Sequence, residues 1–330
     1  MITKKDEFQV GDKCVFIEPD SVLPEREEFE FLRPKNFRIK TMKMAGVLSQ
    51  GICFPISILP ENSSHYQIGD DVTKILGIKK YEKQSTLDTR VIITKRKPRP
   101  FKFLMKFSWY RKLTLNKKQQ KGFPDFLQKT DETRIQCIPW ILEHKEPLVA
   151  TEKIDGCSAT YCLVRHKRRI PFLKDKSEYI VCSRNIRLWK DDNTPYWQVY
   201  KKYRLEKVLK EMIGDHDWVA IQGECIAPNI QGNKYHVSES DFYVFNLIYS
   251  DKGRIGSLKA REVCEKHGLK FVPILQDNFI VPDTVDGMLK IAHGESKLYP
   301  TLREGLVCRS QNGEFSFKAV DPLFLIKHDE

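Results

Sequence analysis

The chain has no Cys-x-x-Cys pair and no group of histidines at zinc spacing. Its nine cysteines (Cys14, Cys53, Cys137, Cys157, Cys162, Cys182, Cys225, Cys264, Cys308) stand singly and are odd in number. That pattern argues against a disulfide framework and against a structural zinc. Isolated thiols of this kind read as small buried hydrophobes in a reducing compartment. No apolar run approaches a membrane span, and the opening MITKKDEFQVGDKC lacks the hydrophobic stretch of a signal peptide. Internal repeats and low-complexity segments are lacking too. These absences lead us to expect a globular intracellular protein, cytoplasmic or nuclear, with no membrane contact. Its 330 residues suit two domains better than one.

What the chain does have is positive charge in one place. The formal net charge is +12, and residues 79–122 hold 15 Lys/Arg against two acids, Glu82 and Asp88. That one segment carries the whole excess. It also holds Phe101, Phe103, Phe107, Trp109 and Tyr110. Basic residues interleaved with aromatics suit phosphate contact and base stacking. A solvated linker with a few packed aromatics is the other reading of the same residues.

The pattern before and after this segment differs. Residues 1–80 show short strand-like runs (DKCVFIEP, FRIKTMKMAG, GICFPISI) punctuated by Gly-Asp turns, which predicts a small β-barrel or sandwich. From about residue 131, seven strand-like runs alternate with helical patterns, the clearest at 196–213, 257–267 and about 284–294. The spacing predicts an α+β domain with mostly antiparallel strands. The expected organisation is a β-rich domain over 1–95 (OB-like on the resemblance given below), a basic linker over 96–128 and a second domain over 129–330.

Five short patterns in the second half bear on chemistry. They are Lys153-Ile154-Asp155-Gly156, Ser183-Arg184-Asn185, Gln222-Gly223-Glu224, FYVFNLIY with Phe245, and EGLVCR (Glu304 to Arg309) followed by FSFKAV with Lys318. Each alone has a plain structural account, such as a strand-edge lysine, a surface arginine or a core phenylalanine. In order, they supply what nucleotidyl transfer onto a lysine needs. An amine attacks only when deprotonated, which calls for desolvation, nearby positive charge or a metal. Charge gathering on the attacked phosphate calls for lysine, arginine or a divalent cation. Asp155, Glu224 and Glu304 could offer oxygen ligands to such a cation. Phe245 and Val307 could sandwich a purine. Gly156 and Gly305 permit close backbone approach.

This ordered set resembles the motifs of the covalent lysyl-AMP nucleotidyltransferases, and most nearly those of ATP-dependent RNA ligases of the Deinococcus/Naegleria type. The N-terminal GDKCVFIEPDSVLPE, EFEFLRPKNFRIKT and LSQGICFPIS resemble that group's OB region, and KTDETRIQ and QGECIAPNIQGNKY its catalytic domain. The resemblance implies an N-terminal OB-like β-barrel followed by an ATP-grasp-like antiparallel nucleotidyltransferase domain, acting as a monomer on RNA. It implies ATP as the nucleotide and Mg2+ or Mn2+ as the metal. Catalysis would rest on Lys153 as nucleophile and Lys318 at the α-phosphate. Glu152, Arg134, Arg184, Glu224, Phe245, Glu304 and Val307 would join these two lysines in binding the nucleotide. Asp155, Glu224 and Glu304 would hold the metal. The expected reaction joins RNA 3′-OH and 5′-phosphate ends, as at a nick in a duplex, through lysyl-AMP and RNA-adenylate.

A DNA ligase, a GTP-using capping-type enzyme and a non-catalytic RNA-binding protein of the same fold are the alternatives. Only 12 residues follow Lys318, too few for the C-terminal OB domain of the first two. Three departures stand out. Ser316 occupies the first position of a Lys-x-Lys pair. Ala45 stands in KMAG, where a basic residue is expected. An insertion over 165–179 reads as a long basic hairpin.

Overall fold

The computed structural model describes residues 2–4, 6–44, 46–60, 66–81, 122–166, 176–189 and 193–328. Ala45, most of the basic segment and the tip of the 165–179 insertion lie outside the described residues. So does most of the expected 96–128 linker. The chain divides into two compact units, Met1–Lys83 with Asp321–Glu330, and Gln84–Val320.

The N-terminal unit is built from short strands, as its turn-rich sequence dictates: β1 (Cys14–Ile17), β2 (Ser21–Val22), β3 (Met42–Met44), β4 (Val47–Ser49), β5 (Ile52–Pro55) and β6 (Lys79–Lys80). They pair antiparallel as β1 with β5, β2 with β6 and β3 with β4. The sequence patterns did not announce the 3-10 helix Glu27–Lys35, which ends at Asn36 in the left-handed conformation. Its Phe29 is fully buried beside Val15, Ile17, Leu32 and Leu76, with its ring edge-on to Phe54 at 5.3 Å.

Among the described residues the second unit holds two sheets. Its strands are β7 (Leu148–Lys153), β8 (Cys157–His166), β9 (Lys176–Cys182), β10 (Trp218–Ile226), β11 (Asp241–Tyr249), β12 (Gly253–Arg254), β13 (Lys270–Phe271), β14 (Ile274–Phe279), β15 (Gly305–Ser310) and β16 (Ser316–Val320). One sheet runs β12-β11-β10-β8-β9, with β13 added in parallel to β11; the other runs β14-β7-β15-β16 and is antiparallel throughout. All seven runs read as strands from sequence are strands, in the α+β arrangement expected.

Alternation along each strand decides which face is apolar. In the larger sheet Ala159, Tyr161, Val219, Ile221, Phe242 and Leu247 point into a core closed by the helices Pro195–Lys202, Leu205–Met212 and Ser257–Lys266. In the smaller sheet Leu148, Ala150, Leu306, Cys308, Phe317 and Ala319 pack on the helix Val285–Ala292. The residues between them in sequence occupy the opposite faces, and those carry the polar groups discussed below.

The helical pattern at 196–213 proves to be two helices. Arg204 sits in the left-handed region (φ 48°, ψ 43°), and the chain restarts at Leu205. The break has a packing cause: Tyr203 hydrogen-bonds the Asp241 carboxylate, while Leu205, Val208, Leu209 and Met212 turn a second apolar face to the core. Period alone does not reveal this, because apolar residues recur at helical spacing on both sides of the break. All nine cysteines are free thiols. No helix among the described residues is long and apolar enough to cross a membrane.

The core account makes a stability prediction. Phe317 is wholly buried in the smaller sheet's core. Phe317→Ala should cost this unit about 3–5 kcal/mol, through lost transfer energy and the cavity left behind. Denaturant unfolding would show a lower midpoint at unchanged slope; a variant within about 1 kcal/mol of wild type would contradict the packing described.

Candidate active site

Lys153 is the last residue of β7, and the β7–β15 register sets it opposite Gly305. Glu304, immediately before β15, therefore reaches across the ladder, and the Lys153 Nζ donates to Glu304 Oε2 at 2.8 Å. Gly305 has φ 151°, and a Cβ there would lie 2.1 Å from the Ala319 carbonyl oxygen. Glycine is what lets β15 pass close enough to β16 to present Glu304.

Beyond Lys153 the chain turns tightly. Ile154 is buried with Ile226, Tyr235 and Val272. The Asp155 N–H donates to the Tyr235 hydroxyl at 2.8 Å, and the Asp155 carboxylate pairs with Lys234. The Gly156 N–H donates to Glu224 Oε1 at 3.1 Å. A Cβ on Gly156 would lie 2.5 Å from the Cys225 carbonyl oxygen, so this turn admits only glycine without displacement. Residues from β7, β10 and the segment before β15 thus surround one amine with carboxylates.

The electrostatics follow from that ring. Burial pulls the Lys153 pKa down, but Glu304, Glu224 and Asp155 together outweigh it, and the net shift is upward. The resting amine is an ammonium. Glu224 is pushed up to about 8, first by burial and then by Glu304 and Asp155, against the pull of Lys153. Among the described residues no group of three or more His, Cys, Asp or Glu could hold a metal ion. Carboxyl oxygens such as those of Asp155, Glu224 and Glu304 are the ligand type a hard cation takes, directly or through water.

Lys318 lies on β16, in register with Val307, which in turn faces Thr151 of β7. Its N–H donates to the Thr133 carbonyl at 2.8 Å and its Nζ to Asp131 Oδ1 at 2.9 Å. Burial lowers its pKa, and the charge of Lys153 lowers it further against the opposing pull of Asp131. Arg184, half exposed, pairs with the same Asp131 at 3.1 Å. Arg134 forms a backbone bridge to Lys318.

Phe245 is the extra residue of a β-bulge in β11, since Gln222 pairs with Asn246 and Gly223 with Val244. The Arg309 guanidinium reaches it from the other sheet, 5.7 Å from the ring centroid. Val307 lies two residues before Arg309 on the same face of β15 and is 7% exposed. Glu152 differs from the rest. Alternation turns it away from Lys153, and its carboxylate accepts from Ser296 Oγ at 2.5 Å and the Lys297 N–H at 2.8 Å.

The structure thus gathers Lys153, Asp155, Glu224 and Glu304 at one point, with Lys318, Arg184 and Arg134 joined at Asp131 and its neighbours. Several participants were missed from sequence. Lys234 holds Asp155. Asp131 bridges two cations. Glu132 accepts from Ser316 Oγ at 2.6 Å and sits 3.6 Å from Arg309 and 3.8 Å from Arg254. The acids lie within KTDETRIQ, where Asp131 and Glu132 were a visible signal that named no partner.

The raised Glu224 pKa has a stability consequence of definite sign. The folded state holds a proton on this group between the ordinary value of 4.5 and about 8, so its contribution to stability falls as pH rises through that window. Glu224→Gln, neutral at every pH, should melt above wild type at pH 9, with an advantage that shrinks toward pH 6. Calorimetric scans at both pH values check this, and a difference that does not vary with pH would contradict it.

A family model described as RNA ligase matches residues 146–320, and a model of an OB-fold domain matches residues 1–56. No curated protein matches the chain by sequence. Among solved structures, Naegleria gruberi RNA ligase with PPi is 29% identical, covering 99% of this chain and 90% of that one, at a TM-score of 0.77. A variant of that ligase with ATP and Mn is 30% identical over the same shares, with a TM-score of 0.77. Another with AMP and Mn is 29% identical, again over 99% and 90%, with a TM-score of 0.78. The matched RNA ligase segment covers more than half the chain and contains Lys153 and the carboxylates around it, and on that ground the chain belongs to the RNA ligase family.

Proposed function

We propose that this ligase uses ATP to join RNA 3′-OH and 5′-phosphate ends, as at a nick in a duplex, and that Lys153 is its nucleophile. The observation that carries the reading is the Lys153 amine, set at a strand end and ringed by Glu304, Glu224 and Asp155, with Lys318 two strands away. A structural lysine needs one counter-charge, and Glu304 alone would supply it; the further carboxyl groups of Glu224 and Asp155 are more than that role calls for. That Naegleria gruberi RNA ligase variants bind ATP, AMP and Mn supports the choice of nucleotide and metal.

In the first step the unprotonated Lys153 Nζ attacks the α-phosphorus of ATP. An N–P bond forms, the bond to pyrophosphate breaks, and the proton of the amine is released. Asp155, Glu224 and Glu304 would hold Mg2+ or Mn2+, whose charge favours the neutral amine and offsets the repulsion between the carboxylates. Lys318, positioned by Asp131, meets charge developing on the α-phosphate. Arg184 and Arg134 contact the ribose or phosphates. Phe245 stacks on the base against Val307, and Glu152 supports the site from behind through Ser296 and Lys297.

In the second step a 5′-phosphate oxygen of RNA attacks the phosphorus of lysyl-AMP, and the Lys153 nitrogen leaves. In the third, the 3′-OH attacks that activated 5′-phosphate, AMP departs and a phosphodiester remains. We assign residues 1–95 to an OB-like RNA-docking domain, 96–128 to a basic linker and 129–330 to the nucleotidyltransferase domain. The protein acts as a monomer in RNA repair. Free thiols throughout suit a reducing compartment, the cytoplasm or nucleus.

The steps separate experimentally. Lys153→Ala should fail to join 5′-phosphorylated RNA with ATP, losing at least about 1,000-fold in rate, because no other group replaces a covalent nucleophile. The same variant should still seal RNA already carrying 5′-adenylate, since the third step needs no free lysine nucleophile. Gel assays of nicked RNA read both arms. Joining with ATP at near wild-type rate would remove Lys153 from the proposed role.

A further inference from the structure

Across the larger sheet, Thr160, Gln222 and Asn246 form a row in register on β8, β10 and β11. They are 1%, 1% and 5% exposed and occupy the face opposite the apolar core. Their hydrogen bonds run in one direction. The Gln222 Nε2 donates to the Gln128 backbone carbonyl at 2.8 Å, and a carbonyl can only accept, so the Gln222 Oε1 must point the other way. The Asn246 Nδ2 donates to that Oε1 at 3.0 Å. The orientation of Asn246 is thereby fixed in turn. Its Oδ1, a buried acceptor, is left without a donor among the described residues.

The bulge in β11 decides where that oxygen lies. Val244 and Leu247 both enter the apolar core, so Phe245 and Asn246 between them share the opposite face. Arg309, 3% exposed, comes to the same place from the facing sheet. Its Nη1 donates to Thr151 Oγ1 at 3.0 Å and its Nη2 lies 3.6 Å from Glu132, while its Nε, a buried donor, has no acceptor. An orphan acceptor beside Phe245 on its strand face and an orphan donor on the guanidinium that reaches the Phe245 ring therefore occur on the same side of the sheet. A buried polar group left so calls for a further partner, such as a ligand or a water.

We propose that Asn246 and Arg309 select the adenine base. Asn246 Oδ1 accepts a hydrogen bond from the exocyclic 6-amino group of the base on Phe245, and Arg309 Nε donates to a ring nitrogen beside it. The inference rests on the ATP reading above and adds the groups that discriminate. A purine with hydrogen at position 6 leaves the Asn246 oxygen unpaired. A site built around a substrate N–H rejects an analogue lacking it far more strongly than a merely apolar pocket would. The relay from Gln128 through Gln222 matters because it prevents the asparagine from turning its amino group inward.

The test compares label transfer from two α-phosphate-labelled nucleotides to the full chain, ATP and purine riboside triphosphate, with Mn2+ present. Wild type should prefer ATP by at least about tenfold in second-order rate, the size of one buried hydrogen bond left unmade. Asn246→Ala should lose rate with ATP and take both nucleotides alike. Equal use of the two by wild type would overturn the proposal, and that arm needs no substitution to fold. A preference for ATP surviving in a folded Asn246→Ala would overturn it as well, since some other acceptor would be reading the amino group. Labelling of wild type by GTP and by neither of these nucleotides would instead overturn the ATP reading beneath it.

Discussion

A buried amine held among three carboxylates is the constraint on which the rest of the second unit depends. Lys153 cannot be desolvated without compensation, and Glu304 at 2.8 Å provides the nearest part of it. The surplus of negative charge then has to be stabilised in turn. Lys234 answers Asp155, and the Gly156 N–H answers Glu224. What results is a site rich in carboxyl oxygen in which Glu224 is held protonated up to about pH 8 and the Lys153 amine is an ammonium. Such a site favours a cation and a polyphosphate arriving together, because the cation reverses the field that holds the proton on the amine.

The two sheets exist to bring these groups to one place. Lys153 and Glu304 are brought together by the register of one sheet, while Glu224 comes to them from the other sheet and Phe245 of that sheet meets Arg309. Glycines at 156 and 305 stand where a Cβ would strike a carbonyl oxygen, so close backbone approach is built into the positions adjoining the reactive ones. The helices beneath each sheet bury its other face and leave the polar faces to chemistry.

How much of this could be read from the sequence depended on the range of the interaction. The strands were legible because β-rich runs carry their own alternation, and FYVFNLIY proved to be strand within a residue of either end. Lys153, Asp155, Glu224, Glu304 and Lys318 could be named together because nucleotidyl transfer would need those types in that order, and the fold does bring them close. Their partners were not. Lys234 is 79 residues from the aspartate it holds and Asp131 is 187 from Lys318, and the segments that contain them do not name these partners. The bulge that turns Phe245 and Asn246 to one face is a register event between two strands. The break at Arg204 escaped notice because apolar period continues through it. Glu152 adjoins the nucleophile in sequence yet occupies the opposite face, which adjacency in a strand dictates.

The most direct measurement is the position of the covalent nucleotide. The full chain is incubated with ATP and Mn2+ without RNA, digested under conditions that spare an acid-labile phosphoramidate, and mapped by tandem mass spectrometry. The account predicts AMP on the peptide containing Lys153, bound through nitrogen and lost on acid treatment. AMP on any other residue, or a folded protein that carries none, would contradict it.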